Sequence, residues 1–168
     1  MDMSVLWDMS YGVYAVGALD GERLCGCIAN SAMQISVEPP TIAVSINKEN
    51  FTHEVLTRTG RFTLSLFSEQ NAPLDITYLG FQSGRERDKF AKVEHGITPE
   101  GLPFVTDNAC GYLSCKVIGS ADCHTHTVFL AEVTDAVRLS DNKPMTYDYY
   151  HKVIKGKTPK NAPTYQGK

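Results

Sequence analysis

Between Tyr11 and Asn47, apolar and small residues run in short stretches broken by turn residues, a rhythm that predicts strands and not long helices. Tyr11–Leu19 (YGVYAVGAL) is dense in β-branched and aromatic side chains and ends at Asp20-Gly21, a strong hairpin signal. Arg23–Asn30 (RLCGCIAN) is then the returning strand. Its Gly26, between two small thiols, leaves room for another backbone or a flat ligand to come close. Pro39-Pro40 breaks what precedes it, and Thr41–Asn47 (TIAVSIN) reads as a third, mostly buried strand.

The period then changes. Phe51–Thr59 places Phe51 with Val55, and Thr52 with Leu56 and Thr59, at helical spacing, with Asn50 as a candidate N-cap and Gly60 as the stop. Arg61–Phe67 alternates, with Phe62, Leu64 and Leu66 on one face and Thr63 and Ser65 on the other. Asn71–Gly80 fits a second helix with Pro73 near its start. A charged loop, Ser83–Phe90 (SGRERDKF), follows, then a Gly101-Leu102-Pro103 turn and two longer strands, Ala109–Ser120 and His126–Leu139. Residues 143–168 carry five lysines and two prolines beyond position 150 with almost no apolar period, and so read as an extended tail on a surface, with a second subunit as one possible host. Five or six strands with one inserted helix, and no strand–helix alternation, argue for an antiparallel barrel over a doubly wound sheet. No repeat or linker is visible, so residues 1–168 read as a single domain.

Composition agrees with this. The 168 residues are 42% hydrophobic and 21% charged, within the range of one globular domain. A net charge of -3 argues against nucleic-acid binding. No apolar run approaches the roughly 20 residues of a membrane span, and Met1-Asp2-Met3-Ser4 lacks the basic-then-apolar order of a signal peptide. Five cysteines, none in C-x-x-C spacing, fit reduced thiols, and the expected setting is the cytoplasm.

Three stretches could carry chemistry. Ser45–His53 (SINKENFTH) ends a strand and opens a helix, and a helix start with Asn47, Lys48, Asn50 and Thr52 around it is suited to an anion; the plainer reading is a capped helix beside a solvated lysine. Cys27–Ser36 (CIANSAMQIS) offers Asn30, Ser31, Gln34 and Ser36 beside a low-bulk strand, suited to a flat ring with alternating donors and acceptors, or else an ordinary polar loop. His124 and His126, two apart on a strand, would share a face near Cys123, yet no further ligand stands at metal-site spacing. A histidine at a pocket edge and one that simply ends a strand are the remaining alternatives. Cys25 and Cys27 have no basic neighbour in sequence and read as packing. Neither G-x-G-x-x-G, a P-loop nor G-x-S-x-G occurs.

Taken in order, Tyr11-Gly12, ANSAMQISVEPPTIAVSINKENFTHEVL, SGRERDKF, HTVFLAEV and KGKTPKNAPTY resemble the flavin reductase-like family, the FMN-binding split β-barrels, over nearly the whole chain. The resemblance implies a mainly β, Greek-key antiparallel barrel with a few short helices, and a homodimer with FMN near the subunit interface. It implies that the ring and ribityl groups lie against Ala29, Asn30, Ser31, Gln34, Ile35 and Ser36, and that the phosphate lies at Ser45, Asn47, Lys48, Asn50 and Thr52. Lys89 and Phe90 match a loop that closes over the flavin. His126 matches a histidine near the nicotinamide, although Thr125 stands where the family pattern has aspartate.

The activity implied is transfer of hydride from NADH or NADPH to the flavin, with electrons passing on to free flavin, ferric iron or a rubredoxin. Such chemistry belongs to the cofactor, so no acid–base dyad is required of the protein. The alternative is a flavin-binding electron carrier reduced by a protein partner and not by a nicotinamide. It draws on the likeness of the C-terminal stretch to the segment leading into a rubredoxin module.

Overall fold

A computed structural model describes residues 1–82, 84, 85, 88–160 and 162–165. Ser83, Glu86 and Arg87 of the charged loop, and Asn161 and 166–168 of the C-terminal stretch, Lys168 among them, lie outside the described residues. The elements in chain order are β1 (Tyr14–Asp20), β2 (Arg23–Ala29), β3 (Ala32–Val37), β4 (Pro40–Asn47), α1 (Phe51–Thr59), β5 (Arg61–Leu66), α2 (Pro73–Gly80), β6 (His95–Ile97), β7 (Pro103–Val105), β8 (Gly111–Cys123), β9 (His126–Arg138) and α3 (Tyr147–Lys152).

Seven strands form one antiparallel sheet in the order β2-β1-β5-β8-β9-β4-β3. It curls until β2 comes near β4, and the corner residue Ser31 continues the β3–β4 ladder, its carbonyl accepting from Ser45 N–H at 2.9 Å. The interior fills with the alternate residues of each strand, among them Val16, Cys27, Val44, Ile46, Phe62 and Phe129, and is plugged by Val55 and Leu56 of α1. The predicted helix and its stop are both present. Gly60 adopts φ 64° and donates to the Leu56 carbonyl, a left-handed cap that glycine takes without a Cβ penalty.

The polar residues of β5 do not face water. Thr63 and Ser65 are buried because the β6–β7 hairpin covers that side: Thr63 Oγ1 donates to the Pro103 carbonyl, and Ser65 Oγ accepts from Val105 N–H at 3.0 Å. Gly17 permits this approach, since a Cβ there would stand 2.1 Å from the Pro103 oxygen. A second apolar cluster outside the barrel joins Val13, Phe67, Ile76, Leu79, Phe90, Met145 and Tyr150.

Four expectations are revised. The polar stretch after β2 is strand β3, an exposed edge with a bulge between Gln34 and Ser36, which blurs the two-residue period. The C-terminal residues are not all extended: Thr146 caps α3 by accepting from Tyr149 N–H, and Met145 and Tyr150 pack into the second cluster of their own chain. His124 and His126 do not share a strand face, because His124 sits in the β8–β9 turn at φ 59°. The room beside Gly26 is taken by Phe90 and the β1 backbone, whose atoms a Cβ there would meet at 2.8 and 2.5 Å, and not by a ligand.

Asp75, in the first turn of α2, is buried in this second packing layer with Oδ2 lacking a hydrogen-bond partner among the described residues. Burial, reinforced by Asp107 and Glu94, pushes its carboxyl up to about 6. The unfolded chain therefore releases this proton at lower pH than the folded one, so stability falls as pH rises from the ordinary carboxylate range through about 6. Asp75→Asn is expected to raise the urea midpoint at pH 7, with the gain shrinking to nothing as the pH is lowered below 4; an equal gain at both pH values would contradict this assignment.

Candidate functional site

A cleft opens where the barrel's ends approach. One wall is the end of β2 and its corner, with Cys27, Ile28, Ala29 and Asn30; the floor is the end of β4 and the turn into α1, with Ser45, Ile46, Asn47 and Asn50. His126 enters from β9, where it is the cross-strand partner of Asn47. Ile76 and Gly80 of α2 and the C-terminal residues Tyr147, Tyr150, Lys157 and Pro159 complete it. The cavity itself is small, about 60 Å³, and widens into open solvent at its mouth.

The β4–β9 pairing fixes the polar corner. Lys48 N–H donates to the Thr125 carbonyl at 3.0 Å, and Asn47 Oδ1 accepts from Glu49 N–H at 2.8 Å, so the chain turns sharply into α1. Asn50 precedes the helix without a side-chain capping bond. His126 Nδ1 shares a 2.9 Å hydrogen bond with Thr125 Oγ1, which sets the plane of its ring. Asn47 and His126 are both buried, at 8% and 9% exposure, so these polar groups point inward from a folded frame.

Six residues anticipated from sequence therefore meet in the cleft: Ala29, Asn30, Ser45, Asn47, Asn50 and His126. Ser31 stands at its corner, its hydroxyl donating to Asn30 Oδ1 at 3.1 Å. The others are elsewhere. Lys48 turns to the far side of the α1 start, where its ammonium pairs with Asp122 at 2.5 Å beside a second hollow. Thr52 is buried at 2% exposure, and its hydroxyl bonds Cys27 in the barrel interior. Gln34, Ile35 and Ser36 lie on exposed β3, where Ser36 Oγ donates to the Pro39 carbonyl at 2.6 Å.

Lys89 and Phe90, expected in a loop closing over a ligand, are packing residues. Phe90 is 1% exposed, and Lys89 Nζ donates to the Gly26 carbonyl at 2.8 Å and to that of Leu79, at the C-terminal end of α2, at 2.7 Å. The helix dipole favours a cation at that end. Burial nevertheless pulls the Lys89 ammonium down, the nearby thiols opposing it only in part. Burial also pushes the Cys25 thiol up to about 12 and raises Cys27, so both stay protonated at neutral pH and neither is an activated nucleophile.

Sequence reasoning missed the C-terminal wall. Asn30 Nδ2 donates to Thr164 Oγ1 at 2.6 Å, Thr164 donates to Tyr147 OH at 3.0 Å, and Tyr147 OH is 2.6 Å from Thr158 Oγ1. Thr158 Oγ1 is in turn 3.1 Å from His151 Nε2, whose other nitrogen is 3.0 Å from the Gly156 carbonyl. A neutral His151 with its proton on Nδ1 lets every hydroxyl in this chain both donate and accept. The legible signal was Thr146 followed by Tyr147 and Tyr150, a cap and an aromatic pair one helical turn apart.

The cleft pairs apolar walls with convergent amide and hydroxyl groups and contains no carboxylate among its described lining residues, which suits holding a flat polar molecule more than acid–base hydrolysis. The sequence profile of the flavin reductase like domain matches residues 6–156. A high molecular weight rubredoxin of Moorella thermoacetica is 44% identical, over 98% of this chain and 72% of the relative. A ferric-chelate reductase (NAD(P)H) of Archaeoglobus fulgidus is 39% identical over 98% of both chains. Among solved structures, the FMN-binding protein of Thermus thermophilus superposes with a TM-score of 0.71 at 25% identity, over 78% of this chain and 72% of that one. With the profile spanning most of its length and two relatives above a third identity, the chain belongs to the flavin reductase like family, and its sheet is that family's split barrel.

Proposed function

We propose that this protein, a single domain over residues 1–168, binds FMN in the cleft and passes electrons from NADH or NADPH through it to an acceptor. The observation that carries this reading is the convergence of Asn30, Ser45, Asn47, Asn50 and His126, from three separate segments, on one cleft with apolar walls. The flavin supplies acceptance of two electrons from a nicotinamide and their onward delivery. The chain's own groups bind and orient. The β2 wall at Ala29 and Asn30 faces the ring, with Ser31 at the corner, while Ser45, Asn47 and Asn50 present hydroxyl and amide groups to the ribityl phosphate end. Cys27, Ile28 and Ile46 keep water from one side.

His126 is positioned to orient the nicotinamide. Its Nδ1 is engaged with Thr125, leaving ring orientation fixed from one side. The names of the relatives support the electron donor and the acceptor class: one is a reductase of ferric chelates using NAD(P)H, and one is a rubredoxin of high molecular weight. A rubredoxin-type protein is therefore the electron-transfer partner we favour. No helix among the described residues is long and apolar enough to cross a membrane. The five free thiols support a reducing, cytoplasmic setting.

The outer face of β3, β4 and β9 supports a homodimer. Met33, Ala43 and Leu130 lie side by side across three strands, and Met33, Ile35 and Val37 are all more than half exposed. Apolar groups displayed together on a sheet face mark an interaction surface. In this arrangement Gln34, Ile35 and Ser36 serve the interface, which accounts for their absence from the cleft of their own chain. Met33→Glu with Leu130→Glu is expected to convert a dimer to a monomer in sedimentation velocity; a monomeric wild type would contradict the assignment.

Mixing the FMN-loaded protein with NADH or NADPH without oxygen is expected to bleach the flavin absorbance. His126→Ala is expected to slow bleaching at least tenfold while changing FMN affinity by less than about threefold, the pattern of an interaction made mainly with the second substrate. Bleaching only by dithionite or a reduced protein would favour the carrier, and equal loss of both properties would make His126 structural.

A further inference from the structure

The reading above leaves the phosphate of FMN without a cation. A phosphate monoester in a half-buried cleft needs charge-assisted donors, and amides alone are the weaker kind. The basic side chains around the start of α1 are committed elsewhere: Lys48 to Asp122, Arg58 to Asp20 and Arg85 to Glu54. Arg23 lies over the Phe51 ring and bonds the Gly84 carbonyl, and Lys89 is buried against two backbone carbonyls.

Among the described residues that line the cleft, one is a Lys or Arg, and it is Lys157. It comes from the C-terminal stretch and shares the cleft with Ser45, Asn47 and Asn50. No acidic side chain pairs with it among the described residues.

The backbone at this point is held far more firmly than an exposed tail requires. Gly156 N–H donates to the Tyr150 carbonyl at 3.0 Å, and Tyr150 OH donates to the Lys157 carbonyl at 3.1 Å. On the next residue, Thr158 is bound by Tyr147 and His151. Gly156 presses flat on the Tyr150 ring: a Cβ there would stand 1.9 Å from the ring carbon bearing the hydroxyl. Lys157 is thus an exposed lysine on a fixed backbone at the cleft, with no acidic partner among the described residues.

We propose that Lys157 is the cation that holds the phosphate of the bound flavin, the part the sequence had suggested for Lys48. The proposal rests on the cleft being the FMN site. It makes the C-terminal stretch a binding element and not only a cover, and it makes discrimination between FMN and unphosphorylated riboflavin a property of that stretch.

Fluorescence titration of the full chain with FMN and, separately, riboflavin tests it. Lys157→Gln is expected to weaken FMN binding about tenfold or more, the loss typical of one charge-assisted hydrogen bond, and to leave riboflavin binding within about twofold. Lys157→Arg is expected to keep most of the FMN affinity, and Lys48→Gln to bind FMN as wild type does. Wild-type FMN affinity in Lys157→Gln, or equal losses for both flavins, would overturn the assignment while leaving the cleft as the flavin site. A wild-type protein that binds neither flavin would instead overturn the reading on which it stands.

Discussion

The 2.9 Å hydrogen bond from Ser45 N–H to the Ser31 carbonyl closes the corner on which the rest of the site depends. It carries the β3–β4 ladder one residue past the Ala32–Val44 pair, and so holds the chain leaving β2 against the end of β4. Asn30 stands just before this bond on one side and Asn47 just after it on the other. The β4–β9 ladder then adds His126 opposite Asn47. β2 and β3 form the two edges of the sheet, and the cleft lies beside the β2 edge, lined by residues of β2, β4 and β9.

Electrostatics separates which basic residues can act there. Most of those near the α1 start are drawn into exposed ion pairs, which stabilise little individually. Their effect here is on placement, since a lysine held at 2.5 Å by Asp122 does not face the cleft. The buried Lys89 has a different part. It clamps the C-terminal end of α2 to β2 through two carbonyls, and so supports the cleft wall from behind.

Much of the fold was legible because period and punctuation agreed. The β1–β2 hairpin, α1 with Gly60 after it, the alternation of β5 and the long β8–β9 pair each had matching hydrophobic spacing and turn chemistry. Strand β3 was not, because an edge exposed on both sides and bulged at Ile35 has no buried face to impose a two-residue period. The helix α3 escaped notice because its packing uses tyrosines among lysines and prolines, not an aliphatic stripe. At the cleft, the sequence pointed to stretches that the fold brings together but not to which way each side chain points. Thr52 and Lys48, four residues apart across a helix start, face the core and the far side, and the partner that turns Lys48 away lies 74 residues along the chain. The resemblance supplied the family, while the opposite wall, from Tyr147 to Thr164, became visible only when the chain was folded.

Under the proposed function, one bound flavin touches both walls of this cleft at once. Hydrogen–deuterium exchange with and without saturating FMN tests it most directly. Slowed exchange is expected in three separate stretches together, residues 29–31, 47–52 and 156–160, with β8 unchanged. Slowed exchange confined to any one of these stretches, or none at all in the presence of bound flavin, would contradict it.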